Sequence, residues 1–264
     1  MYGWDAGGDY HKHSTEQHKW GIELLNKLSL RGNERILDLG CGDGKITAEI
    51  ARRVPWGSVL GIDKSEDMIR LAKDHFFQDI FPNLVFEPCD ARDIDFNCEF
   101  DIVFCNAMLH WIPEHLPVLE KITKSLKNGG KVIAQMGGKG NASRILKILA
   151  EIISDEKWAG YFRHFSAPYT FYDAPEYGVL LESASLTVVR IVLIAKEMVH
   201  DGPEGLAAWI RTTWLPYTRR VPPELHFQFI HEIVDTYLQI EGSDRNGIIP
   251  VEMVRLEFEA IRKQ

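Results

Sequence analysis

Apolar residues in the first half of the chain follow two patterns that alternate with each other. Continuous apolar runs, typical of strands buried on both faces, occur at residues 36–39, 58–62, 84–87, 100–105 and 131–135. Helical spacing occurs at residues 10–30, 45–54, 65–77 and 116–126, and Asn128-Gly129-Gly130 is a typical stop for the last of these helices. Strands that alternate with helices form a parallel sheet with right-handed crossovers. This half therefore predicts a doubly wound α/β fold.

The alternation changes after Gly140. Helices are predicted at residues 141–154, 174–184, 203–214 and 222–239, and strands at residues 186–195 and 251–262. Residues 158–172 are rich in aromatic side chains, and Pro168 argues against a continuous helix there. The whole pattern predicts a mostly parallel, seven-stranded sheet. We expect residues 1–200 and 246–264 to form the core, residues 201–245 to form a helical lid inserted before the last strand, and residues 155–173 to contribute to the cap.

The first strand ends in a glycine-rich turn, Gly40-Cys41-Gly42-Asp43-Gly44, which runs directly into a helix near Lys45. Glycines let the backbone turn tightly and bring its N–H groups close to a ligand, although an ordinary tight turn has the same pattern. The second strand ends at Asp63, about 20 residues further on, where an acidic side chain can bind the hydroxyls of a ribose. Asp63 is alternatively a cap for the next helix, a role that Ser65 can also take.

Charge and composition narrow the range of partners. The chain has 264 residues and a net charge of -8, so it lacks the cationic surface that nucleic acid or an anionic membrane demands. Its four cysteines show no Cys-x-x-Cys spacing, as expected of free thiols in a reducing cytoplasm. There is no apolar run of membrane-spanning length, and the N-terminal residues lack the apolar centre of a signal peptide. We expect a cytoplasmic protein, monomeric or homodimeric.

Histidines gather near the N-terminus, in the segment from Tyr10 to His18. This clustering raises the possibility of a metal site, but acidic or sulfur partners at ligand spacing are missing from the segment. We therefore expect no metal and interpret the histidines as part of a solvated helix surface.

The spacing of the glycines also limits the cofactor. The dinucleotide fingerprint requires a third glycine where this chain has Lys45, because the helix must pack beneath a pyrophosphate. A cofactor without phosphates removes that requirement. S-adenosylmethionine is such a cofactor, with its amino-acid part at the glycine turn, its ribose at Asp63 and its adenine near Asp90.

Several segments, in this order, resemble the motif series of the class I S-adenosylmethionine-dependent methyltransferases. They are Asp38-Leu39-Gly40-Cys41-Gly42-Asp43-Gly44, Gly61-Ile62-Asp63 with Met68, Asp90-Ala91, Phe100-Asp101-Ile102-Val103 and Leu126-Lys127-Asn128-Gly129-Gly130. Two more segments, Tyr10-x-x-x-Ser14-x-x-Gln17 and Asn106-Ala107-Met108-Leu109-His110-Trp111-Ile112-Pro113, resemble the trans-aconitate and juvenile hormone acid methyltransferases. Those enzymes form methyl esters of small carboxylic acids. The resemblance implies a Rossmann-like methyltransferase fold, a small carboxylic acid as methyl acceptor and S-adenosylhomocysteine as a product.

The resemblance also implies a role for each matching residue. The methionine part of the cofactor would contact Gly40, Cys41 and Gly42, and its ribose would contact Asp63. Lys64 and Met68 would contact the sugar or adenine, and Asp90 and Ala91 would contact the adenine. Asn106 would lie beneath the cofactor, and Tyr10 would cover it from the N-terminal side. Gln17 and Trp111 match positions that hold the acceptor carboxylate, and they are the candidate catalytic residues.

The chemistry of the acceptor decides whether the enzyme needs a base. A carboxylate is already ionised near neutral pH, so in-line methyl transfer to it requires alignment and desolvation only. A phenol or amine acceptor would require a base, for which His11, His110 and His164 are candidates; His110 is alternatively a structural residue that orients Trp111. C- or N-methylation and a non-catalytic cofactor-binding role remain open.

The lid carries both arginines and aromatic residues, and their orientation predicts different acceptors. These residues are Trp209, Arg211, Trp214, Tyr217, Arg219 and Arg220. Inward arginines would suit a di- or tricarboxylate, because arginine binds carboxylates bidentately. Inward aromatic residues would suit a long apolar acid.

Overall fold

The computed structural model of the protein describes residues 15–263. The strands within this part are β1 (Arg35–Leu39), β2 (Ser58–Asp63), β3 (Leu84–Pro88), β4 (Phe100–Asn106), β5 (Leu126–Gly137), β6 (Leu186–Asp201) and β7 (Ile248–Arg262). The helices are α1 (Thr15–Leu25), α2 (Lys45–Arg53), α3 (Glu66–His75), α4 (Leu116–Ser125), α5 (Ser143–Ser154), α6 (Glu156–Ala159), α7 (Ala174–Ser183), α8 (Gly202–Thr213), α9 (Leu215–Thr218) and α10 (His226–Glu241). Short 3₁₀ turns occur at Leu109–Trp111, Gly160–Phe162 and Pro223–Leu225.

The seven strands of the described residues form one sheet in the order β3-β2-β1-β4-β5-β7-β6. Strands β1 to β5 pair in parallel, and β7 pairs antiparallel with β5. The chain leaves β1 toward β2 and β3 on one side and returns to β4 and β5 on the other. The predicted doubly wound, mostly parallel sheet is confirmed. Ligands bind such sheets at the carboxyl ends of the strands where the order reverses, which here means β1 and β4.

Two compact units divide the described residues. The sheet unit comprises residues 15–139, 170–194 and 255–263, and the helical unit comprises residues 140–169 and 195–254. The boundaries predicted for the lid, residues 201 and 245, stay a prediction.

The core of the sheet unit lies on both faces of the sheet. Leu37 of β1 pairs in register with Val103 of β4, and both pack with Leu119 of α4 on one face. Their neighbours Ile36 and Phe104 face the other way, toward the side of the sheet that α1, α2 and α3 cover. Strands that are buried on both faces read as continuous apolar runs, which is why the sequence pattern located them.

The helical unit has its own interior, built from aromatic side chains. The rings of Trp158 and Phe229 meet edge to face with centroids 5.0 Å apart, and Phe162 stacks on Phe229 at 5.7 Å. The hydroxyl of Tyr237 on α10 donates to the carbonyl oxygen of Pro250 at 2.6 Å. Residues 158–172, predicted to lack a continuous helix, contain the end of α6, a 3₁₀ turn and irregular chain.

The prediction for Asn128-Gly129-Gly130 was wrong. Helix α4 ends at Ser125, because Leu126 already has extended backbone angles, and β5 starts there instead of at Lys131. Phe100 pairs with Leu126, but Ile102 pairs with Lys131, so the glycine segment is an irregularity within β5. Gly129 has a φ of 75°, a left-handed conformation that favours glycine.

Strand β6 is longer than predicted, because it ends at Asp201 and not at Ala195. The apolar run stops at Lys196, yet Met198 and His200 are buried while Glu197 and Val199 are exposed. This alternation is the strand period of two, so the strand continues beyond the apolar run.

Candidate active site

The glycine turn after β1 is bonded to the end of β2. The amides of Gly40 and Cys41 both donate to the carbonyl oxygen of Ile62, at 2.8 and 2.9 Å. The amide of Gly42 donates to Oδ2 of Asp63 at 3.0 Å. The turn and the predicted ribose-binding acid therefore form one hydrogen-bonded unit.

The three glycines of the turn meet different surroundings. A Cβ at Gly40 would lie 2.4 Å from Cγ of Met108, and one at Gly44 would lie 2.7 Å from Cζ of Phe86. A Cβ at Gly42 would meet nothing within 4 Å, and its φ is 54°. Packing thus explains why Gly40 and Gly44 are glycines. Gly42 instead borders open space, and its amide is directed at Asp63. This space is the part of the turn that a ligand can approach.

Asp63 does not cap helix α3. Ser65 takes that role, since its Oγ accepts from the amide of Met68 at 3.4 Å. Asp63 stays at the end of β2, where Oδ1 accepts from the amide of Ser65 at 2.9 Å. Its carbonyl oxygen accepts from the amide of Cys89 at 3.0 Å, which fastens the loop after β3 beside it. Lys64 is exposed and Met68 is half-buried on the same stretch.

Asp90 follows β3 and forms a hydrogen-bonded ion pair with Arg92. Its Oδ1 accepts from the amide and Nε of Arg92 at 2.9 and 3.0 Å, and its Oδ2 accepts from Nη2 at 2.6 Å. These hydrogen bonds lower the pKa of Asp90 to about 2, so it is an anion at neutral pH. Asp90 is therefore a fixed anion next to the buried Ala91.

Asp38 is a buried acid on β1 for which the sequence suggested no role beyond its place in the motif. It is 2% exposed and accepts a hydrogen bond from Oγ1 of Thr47 at 2.7 Å. Burial raises its pKa to about 7, with a further contribution from the nearby charge of Asp63. An acid within the apolar strand Arg35–Leu39 was the available signal.

Asp38 should make the stability of the fold depend on pH. Its folded-state pKa is raised, so the folded protein keeps a proton that the unfolded chain releases, and the free energy of unfolding falls as pH rises toward about 7. Between about pH 5.5 and about pH 8 we expect the free energy of unfolding of the wild type to fall by about 2 kcal/mol, a change that Asp38→Asn does not show. Urea unfolding of both proteins at the two pH values measures this difference.

The exposed acid Asp67 on α3 supplies the matched control. Asp67→Asn should keep the wild-type pH dependence. An Asp38→Asn protein with the same pH dependence as the wild type would show that Asp38 is ionised throughout.

Helix α1 is held against the ends of β4 and β5 by two amide side chains. Nδ2 of Asn106 donates to the carbonyl oxygen of Gln17, and Nε2 of Gln135 donates to that of Trp20, both at 3.2 Å. Gly21 permits this approach, because a Cβ there would lie 2.9 Å from Nδ2 of Asn106. The structure therefore brings two predicted residues, Gln17 and Asn106, into contact.

Two buried oxygen atoms at this contact have no partner among residues 15–263. They are Oε1 of Gln17 and Oδ1 of Asn106. Buried polar atoms are normally hydrogen-bonded, so such a pair is typical of a place that a ligand completes. Because Nδ2 of Asn106 donates to the carbonyl oxygen of Gln17, the amide of Asn106 presents its oxygen, an acceptor, at this place.

The motif after β4 places His110 and Trp111 on one 3₁₀ turn, with ring centroids 5.6 Å apart. Nδ1 of His110 accepts from the amide of Gly137 at 3.4 Å. Burial, reinforced by the charge of Arg255, holds the pKa of His110 well below its usual value. The geometry therefore supports the structural role for His110. His164 is exposed in the helical unit, and Tyr10 and His11 lie outside the described residues.

In the helical unit, the aromatic lid residues are buried and two of the three arginines are exposed. Trp209, Trp214 and Tyr217 lie in the interior, while Arg219 and Arg220 are at the surface. The guanidinium of Arg220 lies over the ring of Phe165, 5.1 Å from its centroid.

Residues 15–263 contain neither a candidate metal site nor a candidate membrane-spanning helix. No group of three or more His, Cys, Asp or Glu side chains is arranged to hold a metal ion. No helix there has the length and apolar character needed to cross a membrane. The four cysteines, Cys41, Cys89, Cys98 and Cys105, are free thiols.

The predicted cofactor residues line one edge of the sheet. Asp90, Asp63, the glycine turn and Asn106 follow the carboxyl ends of four adjacent strands, β3, β2, β1 and β4. At the usual strand spacing this row spans about 14 Å. The open side of Gly42 and the unpartnered Oδ1 of Asn106 fit a bound cofactor along it.

Comparisons with known proteins agree with this arrangement. Residues 30–163 match the family model described as a methyltransferase domain. The trans-aconitate 2-methyltransferase of Methylobacterium nodulans is 28% identical over 234 residues, which cover 87% of each protein. The chain therefore belongs to the methyltransferase-domain family and is a methyltransferase of the S-adenosylmethionine-dependent class.

Solved structures confirm the fold. A Bacillus halodurans C-125 protein assigned to the methyltransferases superposes with a TM-score of 0.63 at 15% identity, over 92% of this chain and 99% of that one. The phosphoethanolamine N-methyltransferase 2 of Haemonchus contortus, solved with phosphomonomethylethanolamine and S-adenosylhomocysteine, gives a TM-score of 0.62 at 16% identity, over 100% of this chain and 59% of that one. The resemblance to class I methyltransferases is confirmed.

Proposed function

We propose that the protein transfers a methyl group from S-adenosylmethionine to a carboxylate of a small-molecule acid. The state of His110 carries this proposal. Its Nδ1 accepts from the amide of Gly137, and its burial keeps it neutral with a strongly lowered pKa. The motif after β4 thus offers a structural histidine where a phenol or amine acceptor would require a base. A carboxylate acceptor needs none.

The row of strand ends supplies the cofactor contacts in this proposal. Bound S-adenosylmethionine supplies an electrophilic methyl group on a sulfonium. The turn at Gly40, Cys41 and Gly42 binds the methionine part, and Asp63, already fixed by two backbone amides, accepts from the ribose hydroxyls. Asp90 and Ala91 bind the adenine, while Lys64 and Met68 lie beside the sugar and base. The resemblance assigns Tyr10 to the same cofactor.

The acceptor side of the site is built on α1 and on the turn after β4. Asn106 and Gln135 fix the backbone of α1, so the side chain of Gln17 is held at a defined position beside Asn106. We assign Gln17 and Trp111 to the acceptor carboxylate. Their work is to align an oxygen with the methyl group and to exclude water, which are the contributions that in-line transfer needs.

Relatives support a small acid as acceptor. The Methylobacterium protein, aligned over 87% of this chain, is named for trans-aconitate. The same proposal covers the domain organisation: residues 1–200 and 246–264 form the cofactor-binding core, and residues 201–245 form an inserted lid, with residues 155–173 in the cap. It also includes a cytoplasmic location.

Methyl transfer to a panel of acids should reveal the product class. We expect label from methyl-tritiated S-adenosylmethionine to enter at least one acid among trans-aconitate, succinate, hexanoate and dodecanoate. The product should release volatile methanol in alkali, because esters hydrolyse there. Alkali-stable labelled product would contradict carboxyl methylation and favour N- or C-methylation.

If no acid is labelled, a binding measurement distinguishes a protein that does not bind the cofactor from one that binds it but does not methylate these acids. If the protein binds S-adenosylhomocysteine yet labels none of the acids, the proposed acceptor class is wrong. The result would then favour a non-catalytic or differently directed cofactor-binding protein.

A further inference from the structure

A buried arginine of the sheet unit, Arg255 on β7, adjoins the residue that holds His110. Arg255 is 4% exposed and pairs in register with Gly137 of β5. The amide of Gly137 donates to Nδ1 of His110 at 3.4 Å. The positive charge of Arg255 also contributes to the lowered pKa of His110. Arg255 lies outside every motif of the class I series, yet it lies beside the turn that carries Trp111.

Arg255 also fixes which end of the Gln135 amide faces α1. Nε of Arg255 donates to Oε1 of Gln135 at 3.3 Å. A guanidinium has donors only, so the amide must turn its oxygen toward Arg255. The amide nitrogen is thereby directed at the carbonyl oxygen of Trp20, to which it donates at 3.2 Å. Arg255 therefore sets the hydrogen bond that holds α1 to β5.

A second contact joins Arg255 directly to α1. Its guanidinium carbon lies 5.4 Å from the centroid of the Trp20 ring, which is within the range of a cation–π interaction. Trp20 comes three residues after Gln17, so the two are neighbours on the helix surface. One cation thus meets the helical turn of Gln17 twice, at the ring of Trp20 and, through an amide side chain, at its backbone.

We propose that Arg255 is a positioning residue for methyl transfer, which sets Gln17 on α1 relative to Trp111 on the turn after β4. The two residues assigned to the acceptor lie on separate elements, and in-line transfer depends on how accurately they are placed. Arg255 links these elements, because it contacts α1 and adjoins the residue that holds His110. This inference rests on the proposed function.

Hydrogen exchange of the α1 amides tests this link without a methyl acceptor. Arg255→Met removes the hydrogen bond to Gln135 and the cation over Trp20, so the α1 amides should exchange about tenfold faster. Gln135→Glu keeps an acceptor for Arg255 and removes only the donor to Trp20. It should show a similar acceleration, and it supplies the result if Arg255→Met folds poorly. The amides of α2 should exchange as in the wild type in both proteins.

Arg262→Met is the matched control for the exchange measurement. Arg262 lies on the same strand as Arg255, and its guanidinium donates to the carbonyl oxygen of Leu126, at the opposite end of β5 from Gly137. The chemical change is identical, but the contact removed does not involve α1. The α1 amides of this variant should exchange as in the wild type.

Methyl transfer separates positioning from a merely structural role. With an acid that the panel labels, Arg255→Met should lower kcat about tenfold, because the acceptor is less well aligned. The Kd for S-adenosylhomocysteine should change by less than about threefold, since Arg255 lies outside the proposed cofactor row. In a Gln17→Ala protein, adding Arg255→Met should lower kcat little further, because both changes act on the same contact.

Three results would overturn the proposal. They are wild-type exchange of the α1 amides in both Arg255→Met and Gln135→Glu, equal acceleration in α1 and α2, and a loss of kcat that adds fully to that of Gln17→Ala. The exchange measurement needs no acceptor, so it can fail while the acid panel yields esters. Failure of the link is therefore distinct from failure of the proposed function.

Discussion

Replacement of Gly40 by alanine is expected to destabilise the fold by about 3 kcal/mol. The new Cβ would lie 2.4 Å from Cγ and 2.5 Å from Cβ of Met108, and the second of these atoms cannot move away by a change of rotamer. The φ of 80° at Gly40 adds the cost of a left-handed conformation for a residue with a Cβ. Urea unfolding should show a lower midpoint with an unchanged m-value.

Gly42→Ala is the matched comparison. It carries a similar backbone cost, of about 1 kcal/mol, but its Cβ would meet nothing within 4 Å. We expect a nearly stable protein whose affinity for S-adenosylmethionine falls at least about tenfold, because the methyl group occupies the side that the ligand approaches. Equal stability losses at Gly40 and Gly42 would contradict the distinction between a packing glycine and a ligand-facing glycine.

Asp63→Ala is expected to weaken S-adenosylmethionine binding by about 3 kcal/mol, on the order of a hundredfold. The variant loses the carboxylate that would accept from the ribose, and it also releases the amides of Gly42 and Ser65 that this carboxylate holds. Isothermal titration of the wild-type and variant proteins gives the difference directly.

Asp67→Ala is the control for this measurement, because Asp67 is exposed on α3 and pairs with Arg70 at 2.6 Å. It should bind the cofactor as the wild type does. Asp63→Asn should lie between the wild type and Asp63→Ala, since an amide oxygen can still accept from one of the two backbone amides. Unchanged affinity in Asp63→Ala would move the cofactor site elsewhere.

Much of the fold was predictable because it depends on local periodicity. Buried parallel strands are continuous apolar runs, and the helices between them are amphipathic, so the alternation of elements and the mostly parallel, doubly wound sheet follow from the chain itself. The positions of the glycine turn, Asp63, Asp90 and Asn106 at the strand ends were predictable for the related reason that each comes at the end of an apolar, strand-like run.

The features that the pattern missed depend on contacts between distant residues. Gly40 is required because Met108, which is far away in the sequence, packs where a Cβ would lie. No local signal in the sequence distinguishes Gly40 from Gly42. The glycine pair at residues 129 and 130 resembles a helix stop, but the pairing of β5 with β4 makes it an irregularity within a strand. The raised pKa of Asp38 likewise comes from burial beneath α2, which only the packed structure defines.

The proposed acceptor site also combines features that the sequence indicated with features that only the folded structure shows. The proposed roles of Gln17 and Trp111 come from the resemblance, whereas the amide contacts that fix α1 depend on the register between Asn106 and Gln135.

The central claim is that the cofactor lies along the carboxyl ends of β3, β2, β1 and β4. A crystal structure of the protein with S-adenosylhomocysteine tests it most directly. We expect the adenine beside Asp90, the ribose hydroxyls on Asp63 and the amino-acid part against Gly40, Cys41 and Gly42. A ligand bound elsewhere, with Asp63 still bonded only to the amides of Gly42 and Ser65, would contradict the account.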